Sequence, residues 1–294
     1  MATTYNVQSI FGINNLVAVI TGGGSGIGKV MAHALAANDA KAVYILGRRK
    51  EALNATKESS SNPEVIHTII CDVTSKDSLA AAASQVRKEV GYCDVLFANS
   101  GVASASIGDA VKQIGTSTVK SVQEQLWGPT MEEFTHTFHV NVTGAFYTAI
   151  AFLDLLNEGN KRAVVPQKSQ VIVTSSVAGF MRSSFTGFSY ASSKAAATHL
   201  AKQLATAFAP LKIRSNVIAP GFYPSEMNEK SPLMQGNSRE EGGLPAGLVP
   251  LERSGCEEEL AGIALFLTSK AGGYLNGDVL VTDGGALSIV PGTY

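Results

Sequence analysis

Tyr190 and Lys194 stand four residues apart in the run Tyr190-Ala191-Ser192-Ser193-Lys194. On a helix this spacing puts both side chains on one face, one turn apart. A phenol with an ordinary pKa of about 10 exchanges protons poorly at neutral pH. A nearby ammonium favours the phenolate, and a downward shift of about three units corresponds to about 4 kcal/mol of differential stabilisation. The pair is expected to act as a general acid/base, although the same spacing also suits packing of a tyrosine ring on a lysine stem. Two further polar residues supply context. Ser176 lies fourteen residues before Tyr190, just after an apolar run that reads as a buried strand. Asn141 falls within a helical segment, where an amide is an awkward choice for an apolar face. The four groups are expected to converge on one pocket.

A second chemical signal lies near the start, in Thr21-Gly22-Gly23-Gly24-Ser25-Gly26-Ile27-Gly28. Residues without Cβ let a backbone approach a pyrophosphate closely, and the free N–H groups of a following helix attract its charge. The spacing Gly22-x-x-x-Gly26-x-Gly28 differs from G-x-G-x-x-G, and a glycine run can also be only a tight turn; its place after the first strand favours a dinucleotide cradle. The second strand ends in Gly47-Arg48-Arg49, without the acid that would accept hydrogen bonds from adenosine ribose hydroxyls. Arg48 and Arg49 offer guanidinium groups that can fork onto a 2′-phosphate, which points to NADP(H); the alternative is a pair of solvated surface arginines.

These groups must be held by a regular frame. Apolar runs without alternation predict seven buried strands, at 16–20, 43–46, 65–71, 95–98, 170–174, 213–218 and 279–281, and they alternate with helical segments at 26–38, 50–59, 75–90, 130–156, 188–209 and 256–268. Thr74-x-x-Asp77, Thr130-x-x-Glu133 and Ser254-x-x-Glu257 read as helix starts, and Pro210 as a stop. The pattern predicts an α/β fold, a doubly wound seven-stranded parallel sheet with helices on both faces. Ligands of such sheets bind beyond the carboxyl ends of the strands, and nearly every unusual residue follows a predicted strand. One domain, residues 1–294, is expected, with two irregular stretches at 104–128 and 223–250 that read as loops beside a site.

Composition narrows the function. With 23 Lys+Arg against 24 Asp+Glu and 16% charged residues, no broad field exists to gather nucleic acid or anionic lipid. Cys71, Cys93 and Cys256 match no metal or redox spacing, and their odd number gives no disulfide framework, which points to a reducing compartment. No leader or continuous apolar span is visible, so a cytoplasmic protein with no membrane partner is expected. The sequons at Asn54 and Asn141 read as chance. The five histidines form no metal signature, so no metal is expected, and no G-x-S-x-G setting supports a serine hydrolase.

Taken in order, Thr21-Gly22-x-x-x-Gly26-Ile27-Gly28, Asp72-Val73, Asn99-Ser100-Gly101, Asn141, Ser176, Tyr190-x-x-x-Lys194, Pro220-Gly221 and Asp283-Gly284-Gly285 resemble the short-chain dehydrogenase/reductase family over essentially the whole chain. The resemblance implies a Rossmann-like sheet in the order 3-2-1-4-5-6-7 and a nicotinamide cofactor across its carboxyl end. It implies that Tyr190 exchanges a proton with a carbonyl or alcohol oxygen, that Ser176 hydrogen-bonds that oxygen, that Lys194 holds the nicotinamide ribose and lowers the Tyr190 pKa, and that Asn141 positions a relay water. It places Asp72 at the adenine, Asn99 and Gly101 at the ribose side, and further cofactor contacts at Gly22, Ser25, Ile27, Val73, Pro220, Gly221 and Tyr223.

The implied reaction is hydride transfer between NADPH and a carbonyl or alcohol carbon of a small apolar metabolite. A dehydratase, isomerase or cyclase on the same frame, or a cofactor-binding regulator without turnover, fits the same residues. Two departures from the family stand out: Ser100 replaces its usual alanine, and the 42 positions from Asn99 to Asn141 mark 104–128 as an insertion, with another near 157–169. Phe180, Met181, Phe185, Trp127, Phe222 and Tyr223 are expected near the pocket or as plain packing, and 223–250 as a lid. Small residues after Tyr190 suit the association of family members into a homodimer or homotetramer, or an intrachain face.

Overall fold

The computed structural model describes residues 5–103, 114–183, 186–228, 231–234 and 236–293. Seven parallel strands form one sheet in the order β3-β2-β1-β4-β5-β6-β7. They are β1 (Val17–Thr21), β2 (Ala42–Gly47), β3 (Ile66–Ile70), β4 (Val95–Ala98), β5 (Gln170–Thr174), β6 (Arg214–Pro220) and β7 (Val279–Thr282). The inner strands are buried because both faces are covered, which is why they read as unbroken Val/Ile/Ala runs; β3 and β7, at the edges, are only partly covered.

The described helices are α1 (Val7–Phe11), α2 (Gly26–Ala37), α3 (Lys50–Glu58), α4 (Lys76–Glu89), α5 (Val119–Trp127), α6 (Met131–Phe138), α7 (Ala145–Arg162), α8 (Phe188–Ala207) and α9 (Glu257–Thr268). One apolar layer joins the sheet to α4, α7 and α8 through residues such as Leu79, Phe152 and Ala201. The opposite layer joins it to α2 and α9 through Met31, Leu35 and Leu267. Neither α1 nor α5 is predicted from the sequence; both are short, and α5 buries none of its residues, so no apolar stripe marks it.

Two helix starts differ from expectation. Ser75, not Thr74, caps α4 by accepting the Ser78 N–H, because Thr74 is turned onto Asp72. At α9 the capping box is Cys256 with Glu259, two residues later than predicted; Glu259 also pairs with Arg253. The Thr130–Glu133 box at α6 is present as read. The expected helix at 130–156 is α6 and α7 joined by one turn of π-helix, His139–Gly144. That continuous rod, Met131–Arg162, is long and apolar enough to cross a membrane by length and composition, but half of its most apolar window is buried inside the protein.

The amino end of the sheet carries a titratable group in its core. Asp94 is 2% exposed and accepts the Val17 N–H at 2.8 Å. Burial raises its pKa to about 6, against the bond from Val17 and the more distant Lys41. A carboxyl whose folded pKa is raised contributes stability that is full below the unfolded value and is lost as pH rises through about 6. The loss amounts to about 3 kcal/mol. Urea titrations from about pH 4 to pH 7 should therefore show wild type losing about 3 kcal/mol relative to Asp94→Asn, which keeps an acceptor for Val17. Parallel curves for the two proteins would contradict this.

Candidate active site

The carboxyl ends of β1, β4, β5 and β6 gather the polar residues singled out above. At β1, Thr21 organises the glycine loop: its Oγ1 accepts the N–H groups of Asn99 (3.0 Å) and Ser100 (3.1 Å) and donates to the Phe97 carbonyl (3.3 Å). The Asn99 amide donates to the Thr21 carbonyl at 2.9 Å. Gly22 turns with φ +69°, and Gly28 packs so closely that a Cβ there would stand 2.3 Å from the Gly22 oxygen. Ser25 occupies the N-cap of α2 but makes no side-chain cap bond, so the first N–H groups of the helix receive no side-chain cap from it. An anion in this cradle would supply the missing acceptor, and the residues present therefore fit a pyrophosphate.

Asn141 sits in the π turn, 2% exposed. Such turns commonly mark functional positions, because the extra residue redirects side chains. Its Oδ1 accepts the Val102 N–H (2.9 Å), and its Nδ2 donates to the Val102 carbonyl (3.0 Å) and to Ser193 Oγ (2.9 Å). Ser193 in turn donates to the Tyr190 carbonyl at 2.8 Å. Both amide hydrogens of Asn141 are thus committed to protein, and its side chain ties the segment after β4 to the helix that carries Tyr190. Ser193 was missed by sequence reading, although its position three residues after Tyr190 places it on the same helical face.

Ser176 caps the turn after β5, accepting the Ala178 N–H at 3.2 Å and donating to the Pro220 carbonyl at 3.5 Å, and its hydroxyl stands beside the Tyr190 phenol, whose ionised form it favours. Lys194 is buried, and its Nζ donates to the Thr174 carbonyl at 2.8 Å. Its Nζ also lies 5.8 Å from the centre of the Tyr190 ring. Gly101 fits closely at this point: a Cβ on it would stand 3.2 Å from Lys194 Nζ and 3.3 Å from Asn141 Oδ1. The Ser175 hydroxyl fixes the helix from below through the Lys194 carbonyl (2.8 Å) and Thr198 (2.7 Å). The four expected residues are brought together.

Their electrostatics differ from expectation in sign. Burial raises the Tyr190 pKa, and the bond with Ser176 opposes the shift only in part. The phenol keeps some solvent access, yet protein packs densely around it. Lys194 does not lower it, because the ammonium is turned to the Thr174 carbonyl and is itself disfavoured by burial, its pKa falling to about 8. Counting a neighbouring charge without its desolvation gave the wrong direction.

Around the cofactor cradle, Asp72 is held below the usual carboxylate range by two hydrogen bonds from Thr74, with Arg48 and His139 adding to the effect. Arg48 is exposed, and Arg49 pairs with Glu226 at 2.5 Å. Val73 packs under the π turn, 3.0 Å from where a Gly144 Cβ would lie. Gly221 abuts Asp283, and Ile27 and Pro220 stand at the start of α2 and the end of β6. Tyr223 is buried, its hydroxyl bonded to Thr282 (2.5 Å) and its ring against Gly255, so its side chain anchors the start of the 223–250 segment. Met181 and Val177 pack with Leu244, Val249 and Ala286 in a small separate apolar cluster, with Phe222 at its margin. Trp127 is 83% exposed and packs against none of these residues in the apolar clusters. Phe185 and positions 104–113 of the expected insertion lie outside the described residues. Among the described residues no group of three or more His, Cys, Asp or Glu could hold a metal.

Comparison with known proteins agrees with this geometry. The short chain dehydrogenase family matches residues 16–236. The chain belongs to the short-chain dehydrogenase/reductase family. This short-chain dehydrogenase/reductase is 42% identical to the short-chain dehydrogenase/reductase PhomF of Diaporthe leptostromiformis, over 97% of this chain and 96% of that one. It is 40% identical to VdtF of Byssochlamys spectabilis, a protein described in the same words, over 98% and 97% of the two chains. Among solved structures, the RhlG/NADP active-site complex of Pseudomonas aeruginosa superposes with a TM-score of 0.78 at 27% identity, covering 94% of this short-chain dehydrogenase/reductase and 98% of RhlG. A gluconate 5-dehydrogenase of Burkholderia cenocepacia, in complex with NADP and tartrate, gives 0.77 at 26% identity, covering 97% and 100%.

Proposed function

We propose that this family member is an NADPH-dependent carbonyl reductase, working in reverse as an alcohol dehydrogenase, on a small apolar organic substrate. The observation that carries the reading is the Ser176 hydroxyl beside the Tyr190 phenol, with Lys194 one turn further on and a glycine-rich helix start whose N-cap serine makes no side-chain cap bond. When bound, the nicotinamide supplies or takes up the hydride. Tyr190, whose raised pKa keeps it protonated at neutral pH, donates its proton to the substrate oxygen as that oxygen gains charge. Ser176 hydrogen-bonds the same oxygen, and Lys194 is assigned to the nicotinamide ribose. Asn141 keeps the parts in register by bridging Val102 and Ser193, and its Oδ1 faces the Lys194 ammonium across Gly101. Asp72 and Val73 are assigned to the adenine, Asn99 and Gly101 to the ribose side, and Gly22, Ser25, Ile27, Pro220, Gly221 and the backbone of Tyr223 to the rest of the cofactor.

Arg48 and Arg49 support NADP(H) over NAD(H), as do the structural neighbours solved with NADP. Arg48→Ala should weaken NADPH about tenfold to hundredfold, the worth of one charge-assisted hydrogen bond, with little effect on NADH. Equal weakening of both would reject the 2′-phosphate assignment. The whole is read as one domain, with 104–128 as an insertion and 223–250 as a lid, in a cytoplasmic homodimer or homotetramer. The test of function is NADPH oxidation, followed by its absorbance, against a panel of ketones and aldehydes. Product formed without oxidation would favour a dehydratase, isomerase or cyclase, and binding without product would favour a regulator.

A further inference from the structure

The segment after β6 crosses back over the glycine loop and sets a carboxylate on one of the two arginines. Ser225 packs on Gly26, whose Cβ position is 3.3 Å from the Ser225 Cβ. The next residue, Glu226, meets Arg49 Nη2 at 2.5 Å, and the same nitrogen lies 3.4 Å from Ser25 Oγ at the start of α2. Arg49 above all, with a smaller contribution from the Ser25 hydroxyl, holds the Glu226 carboxyl below the usual range. The carboxylate is not a loose surface group that happens to face a cation. Asn228 accepts from Ser225 N–H (2.8 Å) and Ser225 Oγ (3.1 Å) and donates to the Tyr223 carbonyl (2.7 Å), so the turn that bears Glu226 is knotted onto itself. Tyr223, at its root, is anchored on Thr282.

We propose that Glu226 is a cofactor-selectivity residue, whose carboxylate occupies Arg49 in the free enzyme and competes there with the cofactor's 2′-phosphate. The inference rests on the reading of Arg49 as a 2′-phosphate ligand. Glu226 holds Arg49 Nη2, a nitrogen that belongs to either fork a guanidinium can offer a phosphate, so the phosphorylated cofactor competes with the carboxylate for it. The non-phosphorylated cofactor leaves the pair intact. Glu226 therefore reduces discrimination for NADP(H) below what two free arginines would give, and it links the adenosine end of the cofactor to the turn at 223–228. Both side chains are half-exposed, so the penalty is modest, roughly two- to fivefold in affinity.

The test uses the full chain and calorimetric binding of 2′,5′-ADP and of ADP, which differ in the disputed phosphate. E226Q keeps the shape and removes the charge. It should tighten 2′,5′-ADP by roughly two- to fivefold and leave ADP unchanged, and the gain should vanish in the Arg49→Ala background. An E226Q protein that binds the two nucleotides in the wild-type ratio, while Arg49→Ala lowers that ratio, overturns the competition and leaves the 2′-phosphate assignment standing. A wild type that does not prefer 2′,5′-ADP, with Arg48→Ala and Arg49→Ala both without effect on the ratio, overturns the assignment and the competition together.

Discussion

Tyr190→Phe is expected to lower kcat by about 10²- to 10⁴-fold, the usual worth of a positioned proton donor, while NADPH binding and thermal stability stay close to wild type. The substitution removes one hydroxyl and leaves the ring that packs in the cleft. Ser176 retains the Ala178 N–H and the Pro220 carbonyl as partners. The reaction should also report on its neighbours. The raised phenol titrates above its ordinary value, so it supplies no alkaline limb near neutrality. Lys194, at about 8, does. In the reduction direction kcat/KM, which reflects the free enzyme, should fall above about pH 8 and keep that limb in Ser176→Ala. Turnover by Tyr190→Phe at a tenth of the wild-type rate or better would remove Tyr190 from the chemistry.

That prediction depends on a sign that sequence could not supply. Four-residue spacing on a helix revealed that Tyr190 and Lys194 share a face, but only coordinates show that the lysine is turned to the Thr174 carbonyl and that burial of the phenol is the leading influence on its pKa. The parallel sheet was legible because buried strands are continuous apolar runs, and the carboxyl-end residues because each follows such a run. Helix starts at Thr74 and Ser254 were misplaced by one and two residues, since several hydroxyl, thiol and carboxylate groups compete for the same N–H groups. The π turn at Asn141 was not read from the sequence, because a single extra residue between two helical stretches leaves no residue type that marks it. The Arg49–Glu226 pair spans 177 positions, a separation across which spacing carries no information.

Gly28→Ala should be the most damaging single methyl group in the cradle. The added Cβ would lie 2.3 Å from the Gly22 oxygen, 2.9 Å from the Gly22 carbonyl carbon and 2.7 Å from Asn99 Nδ2. Two of these atoms are backbone, and the third is committed to the Thr21 carbonyl, so no flexible side chain can yield. Relief requires the loop to lift from α2, which disconnects Thr21 from Asn99 and Ser100 and spreads the N–H groups that fit a pyrophosphate. The expected cost is about 1–3 kcal/mol of stability, as for overpacking elsewhere, and at least about tenfold in NADPH affinity, equivalent to about 1.4 kcal/mol. Gly262 in α9 is the control: nothing lies within 4 Å of its Cβ position, and alanine there should stabilise by about 0.5–1 kcal/mol through helix propensity alone. Thermal melts and NADPH titrations of the two variants separate a local packing clash from a general cost of replacing glycine. If Gly28→Ala melts and binds like wild type, the first turn is not the rigid cradle that these distances describe.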